Sequence, residues 1–122
     1  MMNKRAIGNI GEELAVKFLI KKGFKIVQRN YHCRIGEIDI IASRDSRIAF
    51  FEVKYRKYSA YTNQDFPIEN AVNAVKKRRF VSSIRLWLLA NGYDEDKIHG
   101  IYMIYILNKF NSNVVKIAQL AL

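Results

Sequence analysis

The stretch from residue 37 to 56, EIDIIASRDSRIAFFEVKYR, constrains the fold most. It holds two apolar runs, 37–43 and 48–56, separated only by the polar RDSR at 44–47. Runs rich in Ile, Phe and Val favour strands. So short a connection makes the two expected antiparallel neighbours. Both carry charge where core strands carry none. Side chains alternate faces along a strand, so Glu52 and Lys54 point opposite to Phe51, Val53 and Tyr55. The same rule sets Glu37 and Asp39 opposite Ile38 and Ile40. Asp39, Glu52 and Lys54 can then gather on one face of the sheet.

The flanking sequence supplies the remaining elements. Residues 4–22 read as a helix with Ile7, Ile10, Leu14 and Phe18 on one stripe, stopped by Gly23. Residues 24–31 read as a strand, followed by a turn at Ile35–Gly36. After a polar segment at 57–66, Pro67 suits the first turn of a second helix. That helix runs to about Ala90, with Ile68, Val72, Val75, Ile84 and Leu88 inward, and Asn91–Gly92 end it. Residues 101–107 form a strand. VVKIAQLAL at the end suits a strand or a short helix, and its Val-Val-Lys-Ile opening favours the strand. The order αβββαβ, with a further strand, is that of an α/β fold: a central mixed sheet flanked by helices. A chain of 122 residues, half of them hydrophobic, suits one domain over 1–122.

Composition points to a polyanionic partner. Lys and Arg number 21 against 11 Asp and Glu, a net charge of +10, and such a field attracts nucleic acid. Nucleic acid leads an anionic membrane as the expected partner. Ribosome association and a merely basic surface are the alternatives. The single Cys cannot form an internal disulfide, which fits a reducing compartment. No apolar run reaches the roughly 18–20 residues of a membrane span, and Glu12 and Glu13 interrupt the N-terminal apolar positions, so a cytoplasmic protein is expected. Cys33 reads as a small structural residue, His32 beside it lacks the partners of a zinc site, and Trp87 reads as core.

Two carboxylates beside a lysine have a chemical use. Mg²⁺ takes one or two carboxylates together with waters and phosphate oxygens, and a nearby Lys stabilises developing charge. The plainer reading is an ordinary cross-strand ion pair. Against it, Asp39 and Glu52 sit in strands too apolar for casual edges, and an acidic cluster stands out in so basic a chain. A third carboxylate lies in GNIGEELA, 8–15. Gly8 and Gly11 are poor helix formers and suggest close approach of another backbone or a displaced helix start. At about 100° per residue, Glu12 falls beside Gly8, Ala15 and Leu19, while Glu13 points to solvent. The alternative is that both merely favour a helix N-terminal region.

Taken in order, Gly8-Asn9-Ile10-Gly11-Glu12 with Ala15, then Gly36-Glu37-Ile38-Asp39, then Phe51-Glu52-Val53-Lys54 resembles the PD-(D/E)XK nuclease superfamily. More narrowly the chain looks like the small bacterial YraN-like proteins, relatives of archaeal Holliday-junction resolvases, over roughly residues 5–107. The resemblance implies a restriction-endonuclease-like core and a catalytic set of Glu12, Asp39, Glu52 and Lys54. Asp39, Glu52 and the Val53 carbonyl would hold Mg²⁺ or Mn²⁺. Lys54 would position water, and Glu12 would orient a metal-bound water or second ion. Two positions depart from the pattern: Tyr55 follows the motif lysine where Thr is usual, and Tyr102 stands where the late strand has Asp.

Basic residues suit a phosphate backbone. In KKRR, 76–79, Lys76 and Arg79 flank the buried stripe and are candidate phosphate contacts, with Lys77 and Arg78 more exposed. A solvated basic face is the equal alternative. RNYHCR, 29–34, and KYRKYSAY, 54–61, interleave cations such as Arg34 and Arg56 with Tyr31, Tyr58 and Tyr61, a pattern that stacks on bases and contacts phosphates. Singly, those tyrosines fit a core edge. The expectation is a Mg²⁺- or Mn²⁺-dependent endonuclease on branched or single-strand-containing DNA, with DNA favoured over RNA. The alternative is a non-catalytic nucleic-acid-binding module working with a partner. By the same resemblance, a homodimer is to be considered.

Overall fold

The hairpin forms where the connection requires it. Arg44 pairs with Arg47, leaving a two-residue turn in which Asp45 and Ser46 have φ of 52° and 64°. Two positive φ values are the condition for the type I′ turn that matches strand twist. Around this hairpin a computed structural model of the chain describes residues 4–58 and 74–120. Its elements are α1 (Lys4–Lys21), β1 (Lys25–His32), β2 (Glu37–Arg44), β3 (Arg47–Lys57), α2 (Ala74–Asn91), β4 (Ile98–Lys109) and β5 (Ser112–Gln119), with a 3₁₀ turn at Glu95–Lys97. The sheet order is β1-β2-β3-β4-β5. Among the described strands only β3 and β4 are parallel, and a parallel pair needs a crossover, which here carries α2. The expected single α/β domain with a mixed sheet is what the chain forms.

A helix covers each face. On one, Phe80, Ile84, Trp87 and Leu88 of α2 pack on Ile38, Ile41, Ile48 and Phe50. On the other, Ala15 and Leu19 of α1 pack on Ile40, Ala42, Phe51, Ile104 and Ile106. Burying each such aliphatic or Phe side chain stabilises by about 1.5–3 kcal/mol. Trp87 is core, as expected. It stands edge-on to Phe50 and stacks on Tyr93, and its indole N–H donates to Gln28 Oε1 at 2.8 Å.

Both helices sit slightly rotated from expectation. In α1 the deepest positions are Gly11, Glu12, Ala15 and Leu19, while Leu14 and Phe18 are half-buried. Small residues at the centre let the helix approach the sheet closely. A Cβ on Gly11 would collide with Cβ of Tyr55, so the close neighbour is a side chain rather than a backbone. In α2, Val75 is 48% exposed rather than inward. Pro67, Ile68, Val72, Tyr61 and most of the polar 57–66 segment lie outside the described residues, as do the side chain of Ile7 and the surroundings of Gly8. Gly23 and Gly92 end the helices with φ of 90° and 73°. β4 is longer than expected at both ends, and the terminal segment is a strand. Among the described residues, no helix is long and apolar enough to cross a membrane.

Candidate active site

The β2–β3 ladder stops at Ile40↔Phe51. One residue further, where Asp39 would face Glu52, the backbone N–H of Val53 instead donates to Asp39 Oδ2 at 2.8 Å. A side chain thus takes a donor that a strand carbonyl would otherwise satisfy, and the two strands part as a fork. Regular alternation fails here. Ile38 packs on the α2 side and Ile40 on the α1 side, where the sequence suggested one face for both. β1 is distorted at the same level. Asn30, opposite Asp39 by register, has φ of 53°. Such a conformation in mid-strand is uncommon outside functional or turn positions.

Charge crowds at the fork. Glu52 Oε1 lies 2.8 Å from Lys76 Nζ and 3.9 Å from Lys54 Nζ. Burial pushes the Asp39 carboxyl up to about 6, and repulsion from Glu52, Glu37 and Glu12 adds to this against the Val53 hydrogen bond. Burial also lowers the Lys54 pKa, helped by the neighbouring Lys76 ammonium and opposed by Glu52 and Asp39. For Lys76 burial works against charge, yet its contacts with Glu52 and Lys54 and the attraction of Glu52 and Asp39 raise its pKa. Tyr105, paired to Lys54 across β3–β4, is buried beside them. Burial and Glu52 both raise its phenol.

Glu12 reaches this end of the sheet from the α1 side. It is 7% exposed, and its Oε1 accepts from Asn30 Nδ2 at 2.9 Å and Arg29 Nε at 3.2 Å. Arg29 also pairs with the exposed Glu13. Glu12 is therefore held by β1 rather than joined directly to Glu52 and Lys54. Its field nonetheless reaches Asp39, as the weakest of the three carboxylates acting there. Sequence reasoning placed Arg29 and Asn30 in a basic, aromatic stretch and missed them as partners of Glu12. An Asn inside a strand, where it is disfavoured, was the available signal.

A cleft of about 600 Å³ opens onto Glu52 between the β1–β2 turn and α2. Arg34, Lys76 and Arg79 line it together with His32 and Glu37. Arg56 lies outside it, exposed further along β3. Arg79 is exposed and Lys77 half-buried, the reverse of the expected order, because the buried stripe of α2 runs through Phe80, Ser83, Ile84 and Trp87, which puts Lys77 beside it and Arg79 off it. Buried Ser83 clasps the turn to the helix. Its hydroxyl donates to the Arg79 carbonyl at 2.8 Å and accepts from the Cys33 thiol at 3.4 Å. A Cβ on Gly36 would come within 2.9 Å of Ser83 Oγ, so a larger residue would displace the hydroxyl that ties the turn to the helix. Tyr102 lies on the far side of the sheet, stacked on Phe51 at 5.3 Å with its hydroxyl 3.0 Å from His99 Nδ1.

Asp39, Glu52 and the Val53 carbonyl are hard oxygen donors of the kind Mg²⁺ and Mn²⁺ accept. Among the described residues, no group of three or more His, Cys, Asp or Glu side chains is arranged to hold a metal. Any ion would rest on two carboxylates, with waters or phosphate oxygens completing its shell. Burial raises Asp39 most, and the carboxylate repulsion that adds to it is an electrostatic condition a cation relieves.

The chain has many relatives. It is 39% identical over 117 residues to a UPF0102 protein of Caldicellulosiruptor bescii, covering 95% of this chain and 94% of that one. It is 38% identical over 89 residues to a UPF0102 protein of Campylobacter jejuni, covering 73% and 74%. With a UPF0102 protein of Lachnoclostridium phytofermentans it shares 39% over 94 residues, covering 77% and 76%. Residues 11–115, which hold every charged group of the fork, match one family throughout, and the chain belongs to the uncharacterised protein family UPF0102.

Proposed function

We propose that this protein is a metal-dependent endonuclease of the PD-(D/E)XK type, hydrolysing phosphodiester bonds in nucleic acid, with DNA favoured over RNA. The observation that carries the reading is the meeting of Asp39, Glu52 and Lys54 where β2 and β3 part, next to a cleft lined with cations. A divalent ion bound there would polarise the phosphodiester and acidify an attacking water. The residues themselves orient and balance charge. Asp39 is fixed by the Val53 N–H, leaving its second oxygen for a ligand. Lys54, softened by burial and by Lys76, donates a hydrogen bond to water or to a phosphate oxygen. Arg34 and Arg79 hold the phosphates on either side. Glu12, buttressed by Arg29 and Asn30, orients the far side of the site through its field.

The alternative is a nucleic-acid-binding module that does not cleave. One observation favours it: Lys76 already occupies Glu52 at 2.8 Å, as an ammonium where a metal would sit. The test is to incubate the protein with branched, flapped, single-stranded and duplex DNA in Mg²⁺ or Mn²⁺, beside folded Asp39→Asn and Lys54→Ala variants. Cleavage lost in both variants supports the nuclease. Binding with no products under either metal, or residual cleavage equal in all three proteins, supports the module.

A further inference from the structure

The β4–β5 turn has a residue in the wrong place for stability. Lys109 pairs with Ser112, so Phe110 and Asn111 form a two-residue turn, with φ of 50° and 61°. Asn and Gly suit these positions, whereas a bulky side chain at positive φ is an outlier. Phe110 recovers little by packing, since it is 82% exposed. Its ring lies 5.6 Å from that of Tyr58, tilted by 47°. Lys109 Nζ stands 4.7 Å from the Tyr58 ring and 6.0 Å from that of Phe110. Tyr58 is anchored, its N–H donating to the Asn108 carbonyl at 2.7 Å.

The position of this cluster connects it to the fork. Glu52, Lys54, Arg56 and Tyr58 fall two residues apart, so by alternation they share one face. Six residues of strand span about 20 Å, about the length of six stacked nucleotides. We infer that Phe110 and Tyr58, with Lys109, form a platform that stacks an unpaired base of a nucleic-acid strand whose backbone follows β3 toward the fork. Aromatic faces take any base, and the lysine answers the adjacent phosphate. The strained turn holds an exposed ring forward at the end of that row. The inference rests on nucleic acid being the partner, as proposed above, but not on cleavage.

The experiment uses an oligothymidylate long enough to span the row, about twelve nucleotides, without metal. Affinities are measured by anisotropy for the parent protein, Phe110→Asn and Phe110→Trp, with melting temperatures alongside. Asn suits the turn but cannot stack, so Phe110→Asn should bind about tenfold more weakly while its melting temperature is held or raised. Phe110→Trp should bind like the parent. Its new indole should be quenched on binding, against the background of Trp87, which is 2% exposed. Affinity of Phe110→Asn within about twofold of the parent, or Phe110→Trp binding with unchanged emission, overturns the platform and leaves the proposed function standing. A parent protein that binds no oligonucleotide overturns both.

Discussion

Asp39 is the residue on which stability and the proposed chemistry conflict. Its pKa is raised from 3.8 to about 6, so the folded chain binds that proton more tightly than the unfolded one. Stability is therefore undiminished below about pH 3.8, falls as pH rises toward 6, and stays reduced above. Asp39→Asn removes the charge and keeps an oxygen for the Val53 N–H. At pH 7.5 it should be more stable than the parent by about 1–3 kcal/mol, with the difference vanishing near pH 4. Urea melts at the two pH values check this, and equal stability at both would contradict it. Lys54 offers a second check, because Lys76 helps lower its pKa. In Lys76→Ala, the Lys54 amine should titrate higher than in the parent when followed by NMR, and an unmoved titration would separate the two lysines. The fork charges themselves were legible in the sequence, because charge inside an apolar strand is conspicuous. The partners of Glu12 were not. Arg29 and Asn30 reach it only through the packing of α1 on β1, a contact across 17 and 18 residues.

At the scale of elements, local chemistry was readable and interruptions of it were not. Gly23, Gly92 and the RDSR turn marked their boundaries because turn conformation depends on the residues in the turn. Ile38 escaped the alternation rule because the Asp39 side chain replaces a ladder bond, which no periodicity encodes. Val75 escaped the helical stripe because the burial of α2 begins only at Lys76 and Phe80. The α1–β3 contact gives a sharp test. Gly11→Ala gains helix propensity of about 1 kcal/mol but drives its methyl into Tyr55, and overpacking costs about 1–3 kcal/mol. The clash should win, giving a less stable protein. Combining it with Tyr55→Gly, which removes the colliding Cβ, should cost less than the sum of the single effects, as a double-mutant cycle would report. Additive effects would mean that helix and strand adjust independently.

Across the whole molecule, a net charge of +10 surrounds a small acidic fork. Under the proposed function, long-range attraction would draw a polyanion in and the cleft cations would set where it rests. Binding of single-stranded DNA should weaken steeply with salt, and Arg34→Ala and Arg79→Ala should each lower the log–log salt slope by about 1. Lys76→Ala is a poorer probe, because it also exposes Glu52. Fold class and charge were both legible from the chain alone, since periodicity and composition carry them. The cleft was not, because it depends on Ser83 and Cys33 tying the β1–β2 turn to α2. A metal-dependent nuclease requires that Asp39 and Glu52 together hold a divalent ion. Calorimetric titration of Mn²⁺ into the parent, Asp39→Asn and Glu52→Gln tests this at pH 7.5 and pH 5. The parent should bind one ion per chain, about tenfold more weakly at pH 5 because Asp39 must first lose its proton, and neither variant should bind an ion at this site. Parent and variants binding Mn²⁺ alike, or the parent binding none, would contradict it.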